Sequence, residues 1–205
     1  DVPTIRRIVG RRVHVIEDAA ESHGATLAGT MTGCLGTMGC FSFYANKTIT
    51  TGEGGCITLS DPTMAQRLRF LRDHAMDPKR RYFHSELGFN YRLTGLQAAL
   101  GRAQLKKIRS TLRRKRHNAA LYRSQLDGIP GLQFQETTAG GASSEWMVSV
   151  LLPPAADRED VARRLRAAGI DSRPFFHPIS SMPMYRGRRH PVARKLHRRG
   201  LTLPS

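Results

Sequence analysis

The chain has 205 residues, of which 40% are hydrophobic and 24% charged, a composition typical of an ordinary globular protein with one large or two small domains. Its 33 lysines and arginines outnumber 16 acidic residues, which gives a formal net charge of +17. Because no apolar run approaches the roughly 18–20 residues that span a bilayer, the sequence predicts no transmembrane helix and no membrane partner.

The first half of the chain predicts two helices and three strands. The helices are expected at Val2–Val9 and Pro62–His74, and the strands at Val13–Asp18, Cys40–Tyr44 and Gly55–Leu59. The first of these strands is an apolar run that ends in acid, which is typical of a buried parallel strand. Residues 75–92 show no clear period and predict a loop.

The second half predicts one long helix followed by a strand, a helix and a strand. Apolar residues at a spacing of three to four predict the long helix over about 93–126, with Gly101 as a potential kink. A strand at Trp146–Leu152, an amphipathic helix at Asp157–Ala168 and a strand at Ser172–Phe176 follow. We therefore expect an α/β protein with domains at 1–92 and 127–205, joined by a connecting helix at 93–126.

Lys47 is the strongest candidate for a catalytic residue in the sequence. It follows an aromatic strand and precedes a turn rich in threonine and glycine, so its amine can point into a cleft. An amine in that position can bond covalently to carbonyl compounds or to pyridoxal phosphate. Asp18 ends the predicted parallel strand, where carboxylates line the ligand crevice of open α/β sheets. A solvated lysine and a helix-capping aspartate are the alternatives.

The cysteines indicate the redox setting. Cys34, Cys40 and Cys56 are odd in number and contain no Cys-x-x-Cys pair. This pattern argues against a disulfide framework and against a zinc site, so we expect no metal. It favours a reducing, cytoplasmic location.

The basic charge raises the question of nucleic acid. Ten basic residues and no acidic residue lie between Leu87 and Leu126, including the run Arg113–Arg116. However, only 6 of the 33 basic residues are lysine, and the excess of arginine extends over the whole chain. Aromatic interleaving and the known nucleic-acid-binding signatures are missing from the sequence, which disfavours that partner. The same field would attract an anionic small substrate.

Four ordered stretches together resemble the sugar aminotransferases of the DegT/DnrJ/EryC1/StrS family, which are pyridoxal-phosphate enzymes of aminotransferase fold type I. The stretches are residues 17–25, 41–55, 88–99 and 172–178, and the resemblance spans nearly the whole chain. The segment Ala75–Tyr82 resembles the perosamine-type branch of that family. The implied fold is part of a large domain with a mostly parallel sheet flanked by helices, plus a smaller α/β C-terminal domain.

The resemblance implies a set of cofactor contacts. Lys47 would bond covalently to pyridoxal 5′-phosphate and then carry the proton, and Asp18 would pair with the pyridine nitrogen. Glu21 would contact the ring hydroxyl and Ser42 the phosphate, while Asn90 would reach the phosphate in the neighbouring subunit of a homodimer. The alternatives are a solvated acid at Glu21, a buried strand serine at Ser42, and an asparagine that orders the loop at Asn90.

The resemblance also implies substrate contacts. Arg92 would meet an anionic diphosphate, although an arginine at a helix start is often only solvated. Arg173, His177 and Tyr185 lie in a stretch that resembles the substrate loop of the small domain. His177, between prolines, is equally well explained as a packed loop residue, and His23 is expected to be structural.

The implied function is transfer of an amino group, with glutamate as the donor, to a nucleotide-linked 4-keto-6-deoxy sugar. Members of the family are longer, and their N-terminal third supplies a Gly-Thr phosphate loop and an aromatic ring that stacks on the cofactor. Neither feature is matched here, so the chain is expected to be a fragment. A basic polyanion- or nucleic-acid-binding module and an inactive truncated aminotransferase remain the alternatives.

Overall fold

The computed structural model describes residues 1–185, 187 and 190–205. The chain divides into two compact units, one comprising Asp1–Leu112 and Thr138–Ser144, the other Arg113–Thr137 and Glu145–Ser205. No helix among the described residues is both long and apolar enough to cross a membrane.

The first unit is built around a short mixed sheet. Its elements up to residue 105 are α1 (Val2–Val9), β1 (Ile16–Asp18), β2 (Thr26–Leu27), β3 (Thr30–Met31), β4 (Met38–Ser42), β5 (Gly55–Leu59), α2 (Pro62–Arg72) and α3 (Gly95–Leu105). The sheet order is β1-β4-β5. Strand β1 is parallel to β4, and β4 is antiparallel to β5. This sheet therefore contains one parallel and one antiparallel pairing, whereas a mostly parallel sheet was expected.

The second unit contains a four-stranded sheet. The remaining elements of the chain are α4 (Ile108–Leu126), β6 (Gln133–Phe134), β7 (Gly141–Ala142), β8 (Val148–Leu151), α5 (Arg158–Ala167), β9 (Arg173–Pro174), a 3-10 turn (Ile179–Ser181), α6 (Pro191–Arg199) and β10 (Gly200–Leu203). Strand β7 belongs to the first unit, where it forms a small sheet of order β3-β2-β7, and the strands of the second unit form the order β6-β8-β10-β9.

The strand–helix–strand pattern predicted for the C-terminal part of the chain is present, but a further strand, β10, lies between its two strands. Strands β8 and β9 both pair antiparallel with β10, so they run in the same direction on either side of it. Elements β8, α5 and β9 therefore form a βαβ unit with one strand inserted. The core of this unit is formed by Val150, Leu152 and Leu201, which are 2%, 7% and 1% exposed.

The predicted single helix over 93–126 is wrong, because two helices occupy this range. Helix α3 ends at Leu105 and α4 begins at Ile108. The Gln104 side-chain oxygen accepts a hydrogen bond from Thr50 N at 3.0 Å, which ties the end of α3 to the turn after Lys47. Gly101 stays within α3, and a Cβ there would lie 3.0 Å from the Thr51 methyl group. The glycine allows close packing rather than a kink.

The predicted buried strand at Val13–Asp18 is shorter and more exposed than expected. It begins at Ile16, and Val13 and Ile16 are 52% and 59% exposed. Glu17 alone among the strand residues is buried, at 7%. An unbroken apolar run indicates burial on both faces, whereas the described chain covers only the face that Glu17 occupies.

Glu17 fixes the loop between β3 and β4. Its Oε1 accepts hydrogen bonds from Leu35 N at 2.7 Å and Gly36 N at 2.6 Å, and its Oε2 accepts one from Gly33 N at 2.8 Å. Gly33 has a φ of +85°, a conformation that favours glycine. This carboxylate therefore holds the backbone that leads into β4, the strand that precedes Lys47.

Candidate functional site

Lys47 lies in the turn that follows β4. Its N–H donates to the Tyr44 carbonyl at 3.0 Å. Its Nζ lies 2.7 Å from Glu21 Oε1, and the side chains of Lys47 and Glu21 are 11% and 53% exposed. Strand β4 ends at Ser42, five residues before the lysine. The amine of Lys47 is largely shielded from solvent, and its carboxylate partner Glu21 is more exposed.

Asp18 and Ser42 lie at the same edge of the parallel pair. They are the last residues of β1 and β4, and Asp18 stands opposite Cys40. Because side chains alternate along a strand, Ser42 shares the face of Cys40 and Asp18. Asp18 Oδ1 accepts a hydrogen bond from Ala20 N at 3.1 Å. The carboxyl ends of parallel strands form the usual ligand-binding edge of an α/β sheet.

The structure groups Asn90 and Arg92 around Asp73, just after α2. Asp73 and Asn90 form an isolated β-bridge. Arg92 Nη1 lies 2.9 Å from Asp73 Oδ1, and Arg92 Nε donates to Asn90 Oδ1 at 3.3 Å. Arg92 therefore already has a carboxylate partner.

The three predicted substrate residues of the second unit have different surroundings. Arg173 lies on β9 opposite Thr202, with an exposed side chain. The His177 ring lies 4.2 Å from the His197 ring, measured between centroids. Tyr185 is 57% exposed and lines a cavity of about 510 Å³ together with Pro178, Ile179, Ser180, Met184, Gly187, His190 and Ala193.

His23, which was expected to be structural, is a buried histidine packed against aromatic rings. It is 5% exposed, and its ring packs on Phe41 and Phe43 with centroid distances of 5.1 and 6.0 Å. Among the described residues, neither ring nitrogen has a hydrogen-bond partner. Burial, and then the positive charge of Lys47, hold the pKa of His23 below its ordinary value of 6.5.

Acidification is expected to destabilise the first unit through His23. Because the pKa of this imidazole is lowered in the folded state, the unfolded chain binds the proton first as the pH falls. The contribution of the neutral His23 to the free energy of unfolding is complete at pH values above 6.5, the ordinary pKa of histidine. It is lost as the pH falls from 6.5 to the lowered pKa of the folded state. Unfolding free energies measured across this range should fall more steeply for the protein than for His23→Phe and His23→Gln. Equal slopes would contradict the assignment.

Comparison with known proteins identifies the family. The model of the DegT/DnrJ/EryC1/StrS aminotransferase family matches residues 1–205. The chain belongs to this family. Its aminotransferases are pyridoxal-phosphate-dependent enzymes, as the resemblance of the four stretches implied. The match favours the aminotransferase hypothesis over the basic polyanion-binding module.

Individual relatives agree with this assignment. GDP-perosamine synthase of Escherichia coli O157:H7 is 38% identical over 197 residues, which are 95% of this chain and 54% of the relative. GDP-perosamine synthase of Caulobacter vibrioides is 44% identical over 174 residues, 83% of this chain and 47% of the relative. The solved structure of S. venezuelae DesV matches with a TM-score of 0.89 and 32% identity, over 100% of this chain and 56% of that one. The chain thus spans about half the length of the relatives it matches.

The groups of the first unit fit pyridoxal phosphate in their chemistry. Lys47 provides an amine for the aldehyde, Asp18 a carboxylate for the pyridine nitrogen, and Ser42 a hydroxyl for the phosphate. The amine is withdrawn from solvent, whereas Asp18 is exposed and turned to the face of the sheet that Ser42 shares. The sequence predicts these residues as cofactor contacts, and they stay predictions; it does not predict the pairing of Lys47 with Glu21, which lie 26 residues apart.

Proposed function

We propose that this protein is a pyridoxal-phosphate-dependent aminotransferase that transfers an amino group from glutamate to a nucleotide-linked 4-keto-6-deoxy sugar, as a perosamine synthase does. The observation that carries the proposal is the Lys47 amine, 11% exposed and 2.7 Å from Glu21, in the segment that follows the Ser42 end of β4. The names of the relatives support the substrate class.

Each residue of the first unit has a definite task in this proposal. When bound, the coenzyme supplies a cationic ring that withdraws electrons from the substrate carbon. Lys47 Nζ attaches the coenzyme and, when released, holds and moves the proton at that carbon. Glu21 keeps the amine in position and contacts the ring hydroxyl, Asp18 maintains the positive charge on the pyridine nitrogen, and Ser42 binds the phosphate.

The remaining predicted residues extend the proposal beyond the first unit. Asn90 contacts the coenzyme phosphate of a neighbouring subunit, so the working form is a homodimer with a shared site. Arg92, Arg173, His177 and Tyr185 contact the sugar nucleotide. Residues 1–92 form the coenzyme-binding part, 93–126 the connection and 127–205 the small domain. The enzyme works in the cytoplasm.

The proposal is tested directly by amine transfer. Protein incubated with pyridoxal phosphate, glutamate and a GDP-linked 4-keto-6-deoxy sugar should form 2-oxoglutarate and the amino sugar, which mass spectrometry detects. Formation of a dehydrated sugar without nitrogen, or no product with any nucleotide-linked keto sugar, would contradict it.

Asp18→Asn is expected to separate coenzyme attachment from turnover. The amide keeps an oxygen for the Ala20 N–H but loses the negative charge. Attachment at Lys47 should persist, while the rate of amine transfer falls roughly 10²- to 10³-fold, the effect of removing one pre-organised electrostatic partner. Single-turnover absorbance after addition of glutamate measures the rate.

Ser42→Ala is the matched comparison for this variant. It should weaken coenzyme binding and leave the rate nearly unchanged once the coenzyme is saturating. An Asp18→Asn protein with the original rate would refute the assigned role of the carboxylate.

A further inference from the structure

The loop over residues 74–92 has a fixed backbone. His74 N donates to Phe89 O at 2.9 Å, and Phe89 N donates to Leu71 O at 2.8 Å. Gly88 packs so closely on the start of the loop that a Cβ there would lie 2.1 Å from the carbonyl carbon of His74. The loop therefore presents its side chains from a defined frame.

Strain accompanies this order. Three non-glycine residues of the loop, His74, Ala75 and Tyr82, have φ values of 63°, 49° and 67°. Such conformations are uncommon for L-residues and persist where the surrounding structure over-determines them, often at ligand clamps. Asp77 supports the turn before Tyr82, since its Oδ1 accepts hydrogen bonds from Lys79 N at 2.8 Å and Arg80 N at 3.1 Å.

The strained turn displays an aromatic ring beside a cation. Tyr82 is 72% exposed, and the Arg81 guanidinium carbon lies 4.8 Å from the centre of its ring. Among the described residues, no carboxylate forms an ion pair with Arg81, whereas Arg92 pairs with Asp73. Arg81 therefore offers an uncompensated charge over one face of a ring whose other face a planar ligand can cover.

A second exposed tyrosine in the loop, Tyr91, packs against a ring rather than a cation. Tyr91 is 73% exposed, nearly the same as Tyr82, but its ring is stacked on Phe89 at 5.1 Å with an interplanar angle of 11°. One face of Tyr91 is covered by an aromatic ring, whereas one face of Tyr82 is covered by the Arg81 guanidinium. Tyr91 thus provides a control for exposure and ring type in the same loop.

We propose that Tyr82 and Arg81 bind the nucleoside diphosphate part of the sugar substrate, the ring stacking on the base and the guanidinium contacting the diphosphate. The inference rests on the proposed function, which requires a site for a nucleotide. Stacking on an aromatic side chain suits any base. A guanidinium matches the paired oxygens of a phosphate group.

Calorimetric titration with GDP and with inorganic pyrophosphate tests the two contacts separately. Tyr82→Leu should weaken GDP binding roughly 5- to 100-fold, the range for loss of one stacked base, and leave pyrophosphate binding unchanged. Tyr82→Phe, which keeps the ring, should restore GDP binding. Arg81→Gln should weaken both ligands by about tenfold, a typical loss for one charge-assisted contact.

Two variants serve as controls. Tyr91→Leu removes an equally exposed ring, and Arg109→Gln makes the same charge change at an exposed position of α4. Both should bind GDP like the unsubstituted protein. The proposal is overturned if Tyr91→Leu loses as much affinity as Tyr82→Leu, if Arg109→Gln matches Arg81→Gln, or if no GDP binding occurs below about 1 mM.

Coenzyme attachment, followed by absorbance, distinguishes this inference from the proposed function. Attachment at Lys47 together with unchanged GDP affinity in Tyr82→Leu overturns the inference and leaves the function standing. If Tyr82→Leu leaves GDP binding unchanged but shifts the sedimentation coefficient, the ring lies in a contact between copies of the chain, and the inference is overturned as well.

Discussion

Lys47→Ala is expected to abolish covalent attachment of pyridoxal phosphate and to lower the rate of amine transfer by about 10²- to 10⁴-fold, the contribution of a positioned general base. The Lys47 side chain is 11% exposed and its Nζ lies 2.7 Å from Glu21 Oε1, so the variant removes both a largely buried amine and an ion pair. Absorbance of the bound coenzyme and the mass of the borohydride-reduced protein measure attachment independently of activity.

Lys47→Arg separates the chemistry of the amine from its charge. A guanidinium keeps the positive charge that faces Glu21, but it stays protonated and does not bond to an aldehyde. The arginine variant should therefore fold and yet lose attachment. Lys106→Ala, at an exposed turn between α3 and α4, should keep both attachment and rate. Coenzyme that remains covalently bound in Lys47→Ala would rule out the assigned role of this lysine.

Elements with local signals could be predicted from the sequence. Helix α1 and strand β5 have the predicted bounds. Helix α2 begins at Pro62 as predicted, because Asp61 Oδ1 accepts hydrogen bonds from Thr63 N and Met64 N. Helix α5 is likewise capped by Asp157, whose carboxylate accepts from Glu159 N.

Features that depend on long-range contacts could not be predicted in this way. The end of α3 is fixed by the contact of Gln104 with Thr50, 54 residues earlier in the chain. A helical period carries no trace of such a contact, so the pattern predicted a single helix. Similarly, Lys47 was identified from its flanking residues, but its ion pair with Glu21 depends on how the turn after β1 folds back beside β4.

Glu17 shows the same limit at a structural residue. The sequence shows Glu17 and Asp18 as two acids at the end of a strand, and only Asp18 is predicted to have a role in coenzyme binding. The structure gives the two acids opposite positions: Asp18 is exposed, and Glu17 is 7% exposed. Its three hydrogen bonds go to residues 16–19 positions further along the chain. Alternation along the strand explains the division of roles.

Glu17→Ala is expected to lower the free energy of unfolding by about 3–5 kcal/mol, because three backbone N–H donors lose a charged acceptor in a largely buried place. The donors are Gly33, Leu35 and Gly36. Glu17→Gln keeps one acceptor oxygen and should cost less, about 1–3 kcal/mol. Urea unfolding followed by circular dichroism measures the loss.

Hydrogen exchange locates the effect of Glu17→Ala. The amides of Gly33, Leu35 and Gly36 should lose protection first, because they lose the acceptor itself. Since this loop leads into β4 and the Ser42 end of that strand, coenzyme attachment at Lys47 should weaken in the same variant. Glu53→Ala makes the same charge change at an exposed position, and its stability should stay within about 0.5 kcal/mol of the original. If exchange at the three amides is unchanged in Glu17→Ala, the carboxylate does not hold the loop.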